Sequence, residues 1–136
     1  MGKEFRLLGK TAIVTGGSNG LGEAIVQLFA QEGANVAIMD IAEPKEVPEG
    51  SKGRAAYFRG DVSNYQDCER VVSEVINSFG ELNILVNNAG ISFAGNILSD
   101  NSLDFWHNVL NVNLNGFFYM TKVSLPHMIK SEKLSS

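Results

Sequence analysis

The sequence is poor in the residues that form crosslinks, metal sites and rigid spacers. Cys68 is the one cysteine among 136 residues, so no internal disulfide can form. Its place on an apolar helical stripe reads as a small buried hydrophobe, not a catalytic thiol. The two histidines, His107 and His127, lie twenty residues apart and have no cysteine partners, so no metal site is expected. Proline is scarce, 3 residues against 14 glycines, which points to close backbone approaches and not to stiff linkers. Basic charge is also short. Eleven Lys and Arg face 15 Asp and Glu, for a net charge of −4, and the cations are scattered from Lys3 to Lys133. A nucleic-acid partner needs clustered cations, so none is expected. No apolar run approaches the roughly 20 residues that span a bilayer, so no membrane partner is expected either. Residues 1–10 lack the apolar core of a signal peptide, and Arg6 argues against myristoylation at Gly2. A cytoplasmic location fits these absences.

What is present is ordinary globular composition, 44% hydrophobic and 19% charged. The length fits one domain. The pattern alternates between strand and helix. Thr11-Ala12-Ile13-Val14 is a short β-branched run ending at Gly16, and it reads as a buried parallel strand. Leu21, Ala24, Ile25, Leu28 and Phe29 recur at helical spacing until Gly33. Val36-Ala37-Ile38-Met39 predicts a second strand, ended by Asp40. Residues 43–53, with Pro44 and Pro48, read as a loop. Residues 55–58 predict a third strand running into Asp61-Val62. Ser63 and Gln66 have the spacing of a capping box. Cys68, Val71, Val72, Val75, Ile76 and Phe79 then form one apolar helical stripe, closed by Gly80. Ile84-Leu85-Val86 predicts a fourth strand before Asn87-Asn88-Ala89-Gly90. Residues 91–101 read as loop and 102–113 as helix, with Leu103, Trp106, Val109 and Leu110 on one side. Residues 117–129 are apolar nearly all round, which predicts a largely buried helix. The last six residues are polar and aperiodic.

This order implies an α/β fold, an open and doubly wound parallel sheet with helices on both faces. Such sheets place ligands at the carboxyl ends of their strands. All four strand ends carry something unusual. After the first come Gly16, Gly20 and Gly22, between a strand and a helix. That is the context in which free backbone N–H groups and a helix dipole suit a pyrophosphate. Asp40 follows Gly22 by eighteen residues. A carboxylate there can accept from both hydroxyls of an adenosine ribose and repels a 2′-phosphate, which favours NAD over NADP. Neither Asn19 nor Ile41 offers a cation to such a phosphate. Asp61 either accepts from an adenine amino group, with Val62 against the ring, or helps Ser63 to cap the next helix. The residues leave these two readings even. Asn87 and Asn88 offer donors and acceptors to backbone and ligand alike, Ala89 and Gly90 leave space for a flat ligand, and Asn87 can equally tie adjacent strands.

Taken together, Thr15-Gly16-x-x-x-Gly20-x-Gly22, Asp40, Asp61-Val62, Asn87-Asn88-Ala89-Gly90 and Asn111-Val112-Asn113-Leu114 resemble the short-chain dehydrogenase/reductase family. The resemblance runs from about residue 8 to about residue 130. It implies a Rossmann-type fold and NAD(P)-dependent hydride transfer with a small-molecule alcohol or carbonyl substrate. It implies that Gly16, Ser18, Asn19, Gly20, Leu21 and Gly22 line the cofactor's phosphates and ribose. Asp40 and Ile41 then flank the adenosine ribose, and Asp61 and Val62 hold the adenine. Asn88, Ala89 and Gly90 lie beside the nicotinamide ribose. Asn113 matches the family's active-site Asn, which kinks its helix and holds a water. The helices near 102–115 and 117–130 match the family's subunit interface, so a homo-oligomer is expected.

The resemblance stops short of the family's catalytic Ser, Tyr and Lys. The Tyr stands four residues before the Lys, where the Lys lowers the phenol's pKa for proton donation. Here Tyr57 is followed at that spacing by Asp61, Tyr65 by Glu69 and Tyr119 by Val123. Residues 1–136 are therefore expected to be the cofactor-binding half of a longer dehydrogenase. The sheet would be truncated after the fourth strand and the two helices that follow, leaving that strand as a bare apolar edge. Expected activities are an NAD-dependent dehydrogenase, or alternatively a non-catalytic NAD(H)-binding or dimerising module. Of the 91–100 loop, Ile91, Ser92 and Phe93 are the candidates to touch substrate.

Overall fold

The computed structural model describes residues 4–49, 52–92 and 95–135; Phe93 lies outside them. Strand β1 (Thr11–Thr15) is followed by helix α1 (Gly20–Gln31), β2 (Asn35–Asp40) and β3 (Ala55–Arg59). Then come α2 (Tyr65–Phe79), β4 (Ile84–Val86) and α3 (Ser102–Leu110). A five-residue π-helical stretch, Asn111–Asn115, carries the chain without a break into α4 (Gly116–Ser135).

The four strands form one parallel sheet in the order β3-β2-β1-β4. The order reverses beside β1, and that switch point opens a crevice at the strands' carboxyl ends. β1 is fully buried because both its edges and both its faces are covered. Alternate residues therefore serve two cores. Ile13, Ala37 and Met39 pack with Cys68, Val71, Val72 and Val75 of α2 and Met120 of α4. Val14, Val36 and Ile38 pack with Val26 and Ala30 of α1 on the other face. Each Val or Ile taken fully out of water contributes about 1.5–3 kcal/mol relative to exposure.

Three expectations need correction. The Ser63–Gln66 capping box does not form. Asn64 is the N-cap of α2, and its side chain accepts from the Asp67 N–H at 3.0 Å. Ser63 is drawn away because its N–H and hydroxyl both donate to Asp61 Oδ1, at 2.9 and 2.7 Å. Residues 117–129 are helical but not largely buried. Phe117 and Phe118 are 55% and 58% exposed, and only one stripe through Met120, Ser124 and Ser131 is buried. An all-round apolar helix needs cover on every side, and here α2 and the sheet cover one. The polar end does not leave the helix either, since α4 runs on to Ser135. The Ser131 hydroxyl there accepts from the buried Leu82 N–H at 3.1 Å.

Candidate active site

The strand ends and the start of α1 enclose a cavity of about 340 Å³. Of the residues singled out from sequence, Gly16, Asn19, Gly20, Leu21, Asp40 and Ile41 line it, as do Asp61, Val62, Asn88, Ala89 and Gly90. Ser18, Gly22 and Asn113 do not. Ile91, a candidate to touch substrate, and Val112, within the Asn111–Leu114 motif, line it as well, while Met39 and Gly60 line it without having been singled out as site residues. Gly60 had a signal, a glycine one step before a strand-end acid. Met39 had none, being one more apolar residue of a buried strand.

The glycine turn fits a phosphate-bearing ligand. At Gly20 the backbone has φ +56°, and the space where a Cβ would stand is empty. Asn19, the N-cap of α1, makes no side-chain cap, so the N–H groups of the first turn are not closed off. Open N–H groups at a helix start, with no side chain over them, are what an anion requires. Gly22 serves a different end. A Cβ there would lie 2.0 Å from the Gly16 carbonyl oxygen, so only glycine lets α1 pack this close to the turn.

Asp40 closes the floor. Its Oδ2 accepts from the Ser18 N–H and its Oδ1 from the Ala42 N–H, both at 3.1 Å. Ser18 itself is buried, its hydroxyl donating to the Ala42 carbonyl at 2.5 Å, so it builds the site from behind. Asp61 is engaged by Ser63, as described above, and its N–H donates to Asp67 Oδ2 at 3.0 Å. Asp61 thus holds Ser63 without making it the cap of α2, a role Asn64 takes, and it still borders the cavity beside Val62.

The paired asparagines divide their work. Asn88, not Asn87, ties strand ends together. Its N–H donates to Thr15 Oγ1 at 3.0 Å, and its Nδ2 to the Gly16 carbonyl at 3.2 Å. Asn87 reaches the other way, donating from Nδ2 to Thr121 Oγ1 of α4 at 3.3 Å. Asn113 grips Ile91 through both amide atoms. Its Oδ1 accepts from the Ile91 N–H and its Nδ2 donates to the Ile91 carbonyl, each at 2.8 Å. The π-helical turn swings this side chain toward the strand end, a device common at functional sites. Among the described residues no three His, Cys, Asp or Glu side chains gather where they could hold a metal. No helix there is long and apolar enough to cross a membrane.

A parallel sheet whose switch-point crevice carries a glycine turn, a strand-end acid and an Asn-Asn-Ala-Gly segment defines a dinucleotide-binding class of fold. The short chain dehydrogenase family model matches residues 10–134, and the chain belongs to that family. It is 40% identical to a 2,5-dichloro-2,5-cyclohexadiene-1,4-diol dehydrogenase of Sphingobium indicum, over 91% of this chain and 50% of that protein. It is 35% identical to meso-2,3-butanediol dehydrogenase of Serratia marcescens, over 94% of this chain and 52% of that protein. Among solved structures it is similar to the ligand-free aldohexose dehydrogenase of Thermoplasma acidophilum. The TM-score there is 0.82 at 34% identity, covering 94% of this chain and 48% of that one. It is also similar to an NADH-dependent reductase complexed with NAD, with TM-score 0.84 at 30% identity, covering 95% and 56% of the two chains. The chain spans about half the length of the relatives it matches.

Proposed function

We propose that this chain binds NAD(H) along the switch-point cavity and serves as the nucleotide-binding half of an oxidoreductase. The substrate class is a small alcohol or the corresponding carbonyl compound. One observation carries the reading: the Asp40 carboxylate stands at the cavity floor beside the open first turn of α1. The α1 N-terminus would hold the pyrophosphate through its N–H groups and dipole. Asp40 would accept from the adenosine ribose hydroxyls, with Ile41 beside it. Val62 would lie against the adenine, and Asn88, Ala89 and Gly90 would border the nicotinamide ribose. Gly22 and Ser18 shape the turn from behind, and Asn113 holds Ile91 at the cavity wall. A bound nicotinamide supplies or takes up hydride. The NAD complex of the similar reductase supports the choice of cofactor, and the two diol dehydrogenases support the substrate class.

The choice of NAD over NADP rests on charge, since a 2′-phosphate would meet the Asp40 carboxylate with no cation at Asn19 or Ile41 to offset it. The expected result of fluorescence titration is saturable NADH binding, with NADPH at least about tenfold weaker, a difference of 1.4 kcal/mol. Absence of saturable NADH binding, or tighter NADPH binding, overturns the reading.

A second reading, a non-catalytic NAD(H)-binding or dimerising module, is supported by the exposed large apolar side chains of α3 and the start of α4. Alcohol-dependent NAD reduction by this chain alone would exclude it. For self-association the surfaces to test are those of α3 and α4, where Leu103 and Trp106 are 68% and 51% exposed and Phe117 and Phe118 are exposed as well. The lone buried Cys68 suits a reducing compartment such as the cytoplasm.

A further inference from the structure

The Asp40 carboxylate is held against rotation. Backbone N–H groups of Ser18 and Ala42 each take one of its oxygens at 3.1 Å. Each oxygen keeps a further acceptor position. The backbone of the same segment is fixed independently. Tyr57 of β3 stands across from Ile38 on the α1 side of the sheet. Its hydroxyl donates to the Asp40 carbonyl at 3.1 Å, and the Ile41 carbonyl lies 3.4 Å away. The Gly60 N–H donates to that same Asp40 carbonyl at 3.2 Å. The Ser18 hydroxyl holds the Ala42 carbonyl. Three segments, the glycine turn and the ends of β2 and β3, thus converge on one acid. Burial raises the Tyr57 phenol above its usual 10.0, so its proton stays in place as a donor at neutral pH.

We infer that Tyr57 and Ser18 are positioning residues which fix the Asp40 carboxylate and thereby set the discrimination between NAD(H) and NADP(H). The inference rests on the nucleotide-binding reading above. Its physical content is mobility. A ribose diol presents two hydroxyls at a set spacing, and two pinned carboxylate oxygens with acceptor positions left over match it. A 2′-phosphate brings between one and two negative charges at neutral pH. A free aspartate could turn its carboxylate away from that charge. A pinned one keeps its charge in the cavity. Neither Tyr57 nor Ser18 lines the cavity, so their effect on selectivity would pass through Asp40 and not through contact with the nucleotide.

The test compares dissociation constants for NADH and NADPH, by fluorescence titration, in the unmodified chain, Tyr57→Phe and Ser18→Ala. Urea unfolding of each is followed in parallel. The expected result is a fall of about threefold to tenfold in the preference for NADH over NADPH in both variants, the effect of one lost hydrogen bond. NADH affinity falls while NADPH affinity holds or improves. A variant that loses both affinities by the same factor, or keeps the ratio of the unmodified chain, overturns the inference. Should Tyr57→Phe fail to fold, the Ser18→Ala ratio decides alone. If the unmodified chain shows no saturable NADH binding, the nucleotide reading itself has failed, an outcome distinct from either of these.

Discussion

Gly22 is the residue with the least room to change. Any side chain would drive its Cβ into the Gly16 carbonyl, and the Asn88 side-chain amide would stand only 2.6 Å away. Gly22→Ala is expected to cost about 1–3 kcal/mol, the usual range for overpacking. A clear drop in the urea midpoint would register it, and an unchanged midpoint would mean that the turn can reorganise freely. Cys68 is constrained by solvation in place of shape. Burial, reinforced by the Asp67 and Asp61 carboxylates, pushes its thiol up from 9.0 to about 12. The native chain is therefore expected to resist thiol reagents near pH 8, with labelling only as fast as the chain unfolds. The sign of the pH effect follows. Because the folded state holds the proton more tightly, this contribution is fully present below pH 9 and is lost as pH rises toward 12. Urea midpoints should fall more steeply over that interval for the native chain than for Cys68→Ala.

Among the elements, the α3–π–α4 run has the most to say about function. Asn113 reaches Ile91 only because the π-helical turn carries it there, and it exchanges two hydrogen bonds with that one backbone residue. Asn113→Ala leaves both partners without their mates. A stability loss of about 1–3 kcal/mol is expected, together with weaker NADH binding as the Ile91 wall loosens. Calorimetry on the apo chain and titration with NADH separate the two effects, and an unaltered affinity would show that the wall stands without Asn113. The strands were legible in the sequence because buried parallel strands are written as short β-branched runs bounded by glycine or acid. The glycine turn and Asp40 were legible from spacing after those strands. Other features were not, for a common reason. Apolarity in α4 states a need for cover but not what supplies it. Ser63 had two possible partners, and the carboxylate two residues before it won over the backbone ahead. The roles of Ser18 and Tyr57 depend on contacts 22 and 17 residues away in sequence with Asp40, which no local pattern records.

At the scale of the molecule, the sheet is uneven. β3, β2 and β1 are paired over five residues or more, while β4 pairs with β1 over three and, among the described residues, with nothing on its other side. Ile84, Leu85 and Val86 along that edge are half-buried. An apolar edge with open backbone groups invites pairing with another chain. The chain, purified by itself, is expected to associate in a concentration-dependent way in sedimentation velocity. A monomer at every concentration would show that the edge is protected.

The placing of β4 also bears on the order in which the fold is made. β1 meets β2 within about two dozen residues, as in Thr11 opposite Asn35, but it meets β4 across more than seventy, as in Ala12 opposite Ile84. The longer loop costs more entropy to close and returns the shortest ladder. The β1-α1-β2 unit is thus suited to assemble early, and β4 to zip on last and open first. The Asn88-Ala89-Gly90 wall follows β4 directly. One side of the strand-end cavity therefore hangs on the least secured strand of the sheet, and a ligand that bridges it to the glycine turn would hold the late-formed part of the fold in place.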